Sequence, residues 1–143
     1  MATGHEPQPV YGHVLIVEDN ALVSSAMRIL LEATGHTVSE AATVAQAIAM
    51  VQAADDPPDV ALLDLTLPDG DGLTILTRLR HAGRAPRICV AVTGHDDPQV
   101  RERCLAAGCH DVLLKPVAAR ELARLVTSWM DPGDGSRRSD PIA

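Results

Sequence analysis

Four short apolar runs in the sequence are each followed at once by side chains that could do chemistry. These side chains are Glu18 with Asp19, then Asp64, Thr93 and Lys115. Three carboxylates in one place repel each other unless a cation joins them, and Mg²⁺ best suits a site with few protein oxygens. A carboxylate nucleophile, a cation, a hydroxyl and an ammonium are together the parts needed for phosphoryl transfer. The prediction of such a site depends on whether the fold brings the four runs side by side.

Each of these residues also has an ordinary interpretation when it is taken alone. Asp64 could cap the helix that follows it, and Thr93 could be a turn residue. Lys115 could be a surface lysine that lies along apolar side chains, and Glu18 with Asp19 could be a solvated strand end. Their joint occurrence after four apolar runs favours a functional site.

The runs themselves predict strands. Residues 13–17, 60–63, 87–92 and 111–114 are mostly apolar without alternation, which is typical of strands buried on both faces, and residues 37–41 form a more polar run. Between the runs, apolar residues recur at helical spacing, as in the first helix at Leu22, Val23, Ala26, Ile29, Leu30 and Ala33. The expected helix boundaries are the N-caps Asn20, Thr43 and Asp97 and the C-terminal glycines Gly35 and Gly108.

Five strand-then-helix units in succession predict an α/β fold of three layers, because parallel strands are joined by right-handed crossovers through helices. We expect a doubly wound, five-stranded parallel sheet with five helices, two on one face and three on the other. The flavodoxin-like strand order 2-1-3-4-5 places the polar second strand at an edge and the first and third strands side by side. Glu18, Asp19 and Asp64 would then meet where the strand order reverses, which is where such sheets bind ligands.

Composition predicts one domain and argues against several classes of partner. The 143 residues are 46% hydrophobic, and we expect a flexible lead-in at 1–11, one domain at 12–130 and a disordered tail at 131–143, with no further domain after Met130. A net charge of −7 opposes direct binding to nucleic acid or anionic lipid. No apolar run is long enough to span a membrane. We expect a cytoplasmic protein that is monomeric or weakly homodimeric.

The cysteines and histidines carry no ligand pattern. Cys89, Cys104 and Cys109 have no CxxC spacing, and we expect small buried thiols. The six histidines show no paired spacing that would suit zinc.

Residues 13–130 resemble the receiver domain of two-component response regulators. Val17-Glu18-Asp19-Asn20 resembles the acidic pair of that family, and Leu63-Asp64 its phospho-accepting site. Val92-Thr93-Gly94 resembles its hydroxyl switch, and Leu114-Lys115-Pro116 its lysine motif. Each motif is weak alone, but four in the family's order and spacing are a specific signal.

The resemblance implies roles for individual residues. Asp64 would take a phosphoryl group from a phosphohistidine on a sensor histidine kinase or a histidine phosphotransfer protein. Asp19, Asp64 and the backbone carbonyl of Thr66 would bind Mg²⁺, with Glu18 acting through water. Thr93 and Lys115 would contact the phosphoryl oxygens and report them to a downstream protein through the face formed by the fourth helix, fifth strand and fifth helix.

The chain lacks an aromatic residue that the family's pattern usually includes. An aromatic residue usually stands three positions before the lysine, where this chain has Val112. Thr66 and His95 occupy positions that in the family control access of water to the phosphoryl group.

The resemblance implies no enzyme activity beyond phosphorylation and dephosphorylation of Asp64. The alternatives are a small aspartyl-phosphate phosphatase and a phosphorylation-independent interaction module.

Overall fold

The computed structural model describes residues 10–131. The predicted lead-in at 1–11 and the predicted tail at 131–143 lie almost wholly outside these residues and stay predictions. In chain order the elements are β1 (His13–Val17), α1 (Ala21–Thr34), β2 (Thr37–Ala41), α2 (Val44–Ala53), β3 (Val60–Asp64), β4 (Thr66–Leu67), β5 (Gly70–Asp71), α3 (Leu73–His81), β6 (Ile88–Thr93), α4 (Pro98–Ala107), β7 (Asp111–Leu114) and α5 (Ala119–Met130).

The main sheet has five parallel strands in the order β2-β1-β3-β6-β7. This confirms the predicted order, with β6 and β7 as the fourth and fifth strands of the sequence prediction. The register pairs Val17 with Leu63 and Asp64 with Val92. Because all five strands run the same way, their carboxyl ends share one edge of the sheet.

Helices cover both faces of the sheet, three on one side and two on the other, as predicted. One core layer contains Leu15 and Val17 of β1 together with apolar side chains of α2, α3 and α4. The other contains Val14 and Ile16 of the same strand together with side chains of α1 and α5. Both faces of β1 are therefore buried, which explains why its sequence is apolar without alternation.

Helix α1 forms where the sequence predicts it, but most of its predicted apolar residues face solvent. The side chain of Asn20 accepts hydrogen bonds from the backbone N–H groups of Leu22 and Val23 and caps the helix. Leu22 is 83% exposed and Ile29 61% exposed, and Ala26 and Ala33 are also exposed. The buried face instead contains Ser24 and Leu31, with Met27 and Leu30 partly buried.

The segment after β3 contains a small structure that the sequence analysis did not predict. β4 and β5 pair as a two-stranded antiparallel ribbon around the Pro68-Asp69 turn. The Asp69 carboxylate accepts hydrogen bonds from the first backbone N–H groups of α2, at 2.7 Å from Val44 and 3.0 Å from Ala45. These bonds, from Ala45 first and then Val44, lower the pKa of Asp69. The turn thereby holds the start of a helix that precedes it in the chain.

The only tryptophan and tyrosine of the chain each lie against a histidine. Trp129 on α5 packs edge-on against His110, with ring centroids 6.1 Å apart. Tyr11 packs edge-on against His36 at 5.5 Å.

Candidate functional site

The predicted site residues lie along the edge where the parallel strands end. Asp64 and Thr93 are the last residues of β3 and β6, Glu18 and Asp19 follow β1, and Lys115 follows β7. Glu18, Asp64 and Thr93 are buried, whereas Asp19 is exposed. The fold therefore places all five on one edge.

Lys115 joins two of the carboxylates directly. Its Nζ lies 3.1 Å from Glu18 Oε1 and 3.1 Å from Asp64 Oδ2, although β7 is two strands away from β3 in the sheet. Burial opposes the charge of the ammonium, but the hydrogen bonds to Glu18 and Asp64 outweigh that effect, so the pKa of Lys115 is raised. Lys115 is therefore a fixed cation at the centre of the site.

Backbone N–H groups orient the other oxygen of each bridged carboxylate. Glu18 Oε2 accepts from the N–H of Asn20 at 3.0 Å, and Asp64 Oδ1 accepts from the N–H of Thr66 at 3.1 Å. Both carboxylates are thus held at one oxygen by the backbone and at the other by Lys115.

The three acidic residues form a possible metal site. Each of Glu18, Asp19 and Asp64 offers one oxygen, and these oxygens lie within 4.8 Å of one another. Within residues 10–131, no other group of three or more His, Cys, Asp or Glu residues meets this condition. An all-oxygen, partly exposed acidic set suits a hard divalent cation such as Mg²⁺, which keeps several waters.

Thr93 lies at the same edge without touching Asp64. Its Oγ1 accepts a hydrogen bond from the N–H of His95 at 3.1 Å, and its carbonyl accepts from the N–H of Lys115 at 2.8 Å. Among the described residues, no hydrogen bond joins the Thr93 hydroxyl to Asp64. Beside Thr93 is an open cavity of about 180 Å³, lined in part by Val112 and Leu114. A larger residue at position 112 would have room in this cavity.

Gly72 supports the site in a way the sequence analysis missed. A Cβ atom at this position would overlap the backbone carbonyl oxygen of Asp64, and the N–H of Gly72 donates to the carbonyl of Leu65 at 3.0 Å. The turn after β5 therefore packs directly on the backbone of Asp64. The sequence here repeats an Asp-Gly pair, Asp69-Gly70-Asp71-Gly72, which is typical of a turn but does not indicate what the turn packs against.

A second missed residue ties this turn to α4. Arg103 on α4 donates to Asp71 Oδ2 at 2.7 Å, while Asp71 Oδ1 accepts from the N–H of Leu73 at the start of α3 at 2.8 Å. The aspartates of the turn thus contact the ends or sides of three helices. Their contacts are long-range, so spacing along the chain does not indicate them.

Comparison with known proteins identifies the family. A model of the family described as the response regulator receiver domain matches residues 14–127. The chain belongs to this family. It is a receiver domain of the two-component signalling type, and its fold and strand order are those of the family.

Individual relatives agree with this assignment. The chain is 38% identical over 130 residues to the KDP operon transcriptional regulatory protein KdpE of Escherichia coli K12, covering 91% of this chain and 56% of that one. A CheY-like receiver domain protein from Methanospirillum hungatei superposes with a TM-score of 0.75 at 26% identity, covering 87% of this chain and 97% of that one. A third relative is the receiver domain of a sensor histidine kinase from Pseudomonas aeruginosa, solved with magnesium coordinated in its active site cleft. It superposes with a TM-score of 0.73 at 30% identity, covering 83% of this chain and 97% of that one.

The receiver domain spans about half the length of the curated relatives it matches. No helix within residues 10–131 is long and apolar enough to cross a membrane.

Proposed function

We propose that Asp64 of this receiver domain accepts a phosphoryl group from a phosphohistidine in a Mg²⁺-dependent reaction. The donor would be a sensor histidine kinase or a histidine phosphotransfer protein. The observation that carries this proposal is Lys115 Nζ, 3.1 Å from both Asp64 Oδ2 and Glu18 Oε1, with Asp19 alongside. A nucleophilic carboxylate, a fixed cation and a candidate metal site thus occupy one place.

The side chains present can perform the transfer in defined roles. An Asp64 oxygen forms the new bond to phosphorus as the donor's phosphorus–nitrogen bond breaks and the donor imidazole leaves. The ammonium of Lys115 and the backbone N–H of Thr66, which already contact Asp64, stabilise the negative charge that the phosphoryl oxygens carry. The hydroxyl of Thr93 would donate a hydrogen bond to one of those oxygens. The activity we propose is limited to the phosphorylation and dephosphorylation of Asp64 itself.

Mg²⁺ fits the acidic set formed by Glu18, Asp19 and Asp64. Asp19, Asp64 and the carbonyl of Thr66 would hold it directly, and Glu18 through water. When bound, it neutralises charge on the phosphoryl oxygens and the carboxylates. The magnesium in the Pseudomonas aeruginosa receiver domain supports this choice of ion.

The exposed stripe on α1 is suited to the phosphohistidine donor. Leu22, Ala26, Ile29 and Ala33 are spaced by four, three and four residues, which is the spacing of a seam that packs against another helix. The stripe begins two residues after Asn20, whose N–H binds Glu18. A helical donor lying on this stripe would bring its phosphohistidine to Asp64. The phosphorylated domain would then bind a downstream protein through α4, β7 and α5, where Leu105 and Leu114 are exposed.

The central test is phosphoryl uptake from a small donor. We expect the wild type to be labelled by acetyl phosphate with Mg²⁺, and Asp64→Asn to lose the label while remaining folded. Asp56→Asn, which removes an exposed carboxylate far from the site, is the matched control and should be labelled like the wild type. Equal labelling of Asp64→Asn and wild type would contradict the proposal.

Docking can be tested separately from chemistry. Leu22→Glu should slow transfer from a phosphorylated histidine phosphotransfer protein by about 10-fold or more, because it removes a large apolar contact and buries a charge in the interface. Labelling by acetyl phosphate should be unchanged. Leu105→Glu, which changes an exposed leucine of α4, is the control and should leave the rate of this transfer unchanged. If Leu22→Glu leaves protein-to-protein transfer at the wild-type rate, the donor does not use α1.

A further inference from the structure

Three cysteines lie together in the core, away from the acidic site. Cys89 is on β6, Cys104 is in the last turn of α4, and Cys109 follows Gly108 directly. All three are free thiols that are 0–6% exposed, and they share the core layer under α2, α3 and α4.

The backbone holds the three residues next to each other. Gly108 ends α4 in the left-handed conformation, with φ of 109°, and the chain turns back so that the N–H of Cys109 donates to the carbonyl of Cys104 at 3.0 Å. The next residue, His110, donates its N–H to the carbonyl of Cys89 at 2.7 Å. Cys109 is thereby fixed between a helix end and the neighbouring strand.

The thiols contact one another in pairs. The thiols of Cys89 and Cys104 both act on Cys109, where hydrogen bonding with Cys89 is the largest cause that lowers the pKa of the Cys109 thiol. The three sulfur atoms are not arranged around one ion, since Glu18, Asp19 and Asp64 are the only such ligand group within residues 10–131. Pairwise contact without a common centre suits a bond between two sulfurs better than a metal.

The contacts of the two thiols favour the thiolate at Cys109 over the thiolate at Cys89. The hydrogen bond from Cys89 lowers the pKa of Cys109 against the opposing effect of burial, and the bond from Cys104 adds to this. The pKa of Cys89 is raised by the same contact and by burial. A thiolate that is stabilised by hydrogen bonds is the nucleophile in oxidation.

We propose that Cys109 and Cys89 form a reversible disulfide when the protein meets hydrogen peroxide. The Cys109 thiolate attacks one peroxide oxygen, the oxygen–oxygen bond breaks, and the leaving hydroxide takes a proton to become water. The sulfenic acid left on Cys109 is then attacked by the Cys89 sulfur, and its hydroxyl leaves as water with the proton of Cys89. Two thiols are oxidised and one peroxide is reduced to two waters. The bridge would tie β6, which carries Thr93 at its far end, to the segment that enters β7.

The test uses the full chain in its native state. The wild type is treated with a small excess of hydrogen peroxide, unfolded with an alkylating reagent present, and mapped by mass spectrometry without reduction. We expect one alkyl group on the protein instead of three, a linked pair of Cys89 and Cys109 peptides, and full recovery of three free thiols with dithiothreitol. Cys104→Ser is the matched control and should form the same bridge, whereas Cys89→Ser and Cys109→Ser should not.

Several results would overturn the assignment. Three free thiols in peroxide-treated wild type, a linked Cys104–Cys109 peptide as the main product, or sulfinic acid without a bridge would each do so. Mapping the wild type needs no variant to fold, so a loss of folding in Cys89→Ser or Cys109→Ser leaves the decision to that measurement.

Discussion

Lys115 links the outer strand β7 to two carboxylates that lie on the other side of β6. Its ammonium compensates one of the negative charges that the strand ends bring together, with Nζ 3.1 Å from Glu18 and from Asp64. The same position suits contact with an incoming phosphoryl oxygen. We therefore expect Lys115 to matter more for the rate of transfer than for the fold, since its side chain is one-third exposed.

Replacing Lys115 by Met should slow labelling by acetyl phosphate about 100-fold, which is typical for loss of one preorganised charged contact in a transfer site. Lys115→Arg should recover part of the rate because it keeps the charge. Arg120→Met, which removes an exposed cation on α5, is the control. A labelling time course with equal concentrations of the three variants measures the effect. A wild-type rate in Lys115→Met would show that the ammonium has no part in transfer.

At the residue level, the sequence indicated the site because each member follows an apolar run. Glu18, Asp64 and Lys115 needed only the strand order to be brought together. Gly72 and Arg103 could not be found in this way, because their roles arise from contacts with Asp64 and Asp71 across turns and helices. Spacing along a chain records local structure and not such contacts.

Among the elements, α1 shows the limit of periodicity. Leu22, Ala26, Ile29 and Ala33 repeat at helical spacing and correctly indicate a helix, but they are exposed. Its buried face includes Ser24, which donates to Glu40 on β2 at 2.6 Å, so part of that face is polar. An apolar stripe predicts a packed surface, and the sequence alone does not say whether the sheet or a partner packs on it.

The turn between β5 and α3 packs closely on the backbone of Asp64. Gly72→Ala would force a methyl group against the carbonyl of Asp64, and we expect a loss of about 1–3 kcal/mol in unfolding free energy, as for other overpacked positions. Phosphoryl uptake should fall as well, because the backbone of Asp64 must move.

Urea unfolding followed by circular dichroism measures the change in stability. Gly94→Ala is the matched control, since nothing lies within 4 Å of a Cβ at that position, and it should unfold near the wild-type midpoint. If Gly72→Ala and Gly94→Ala have equal midpoints, the close approach of the turn to Asp64 is not a constraint.

The arrangement of strands and helices in the whole molecule follows from their order along the chain, which the sequence displays. Five strand-then-helix units leave few parallel arrangements once crossovers are right-handed, and the polar β2 indicates which strand lies at the edge. The long-range contacts that join the two ends of the domain are not visible in the sequence. His36 is one of them: it is 3% exposed, its Nδ1 accepts from the N–H of Gly12 at 3.3 Å, and its Nε2 lies 3.1 Å from Thr127 Oγ1 on α5.

His36 should make the stability of the fold depend on pH. Burial lowers the pKa of His36 below its ordinary value of 6.5, so the folded state holds the neutral ring and the unfolded state binds the proton more readily. The stabilisation is complete above about pH 6.5 and is lost as the pH falls from there through the lower pKa of the folded state.

Urea midpoints at several pH values between 7.5 and 5, roughly the range in which histidine titrates, measure this effect. The difference between wild type and His36→Gln should shrink as the pH falls, because the buried neutral ring is what the wild type loses. His81→Gln, which replaces an exposed histidine, should follow the wild type. A difference between wild type and His36→Gln that stays constant with pH would contradict the prediction.

The packing of Trp129 against His110 gives the molecule an optical reporter. Because the chain has a single tryptophan, all indole fluorescence arises from one buried ring on α5. The neighbouring His110 lies just before β7. Arg87, which lies just before β6, donates a hydrogen bond to the carbonyl of Trp129 at 2.9 Å. Emission from this ring therefore reports locally on the junction of α5 with the amino-terminal ends of β6 and β7, opposite the acidic edge, without any attached dye.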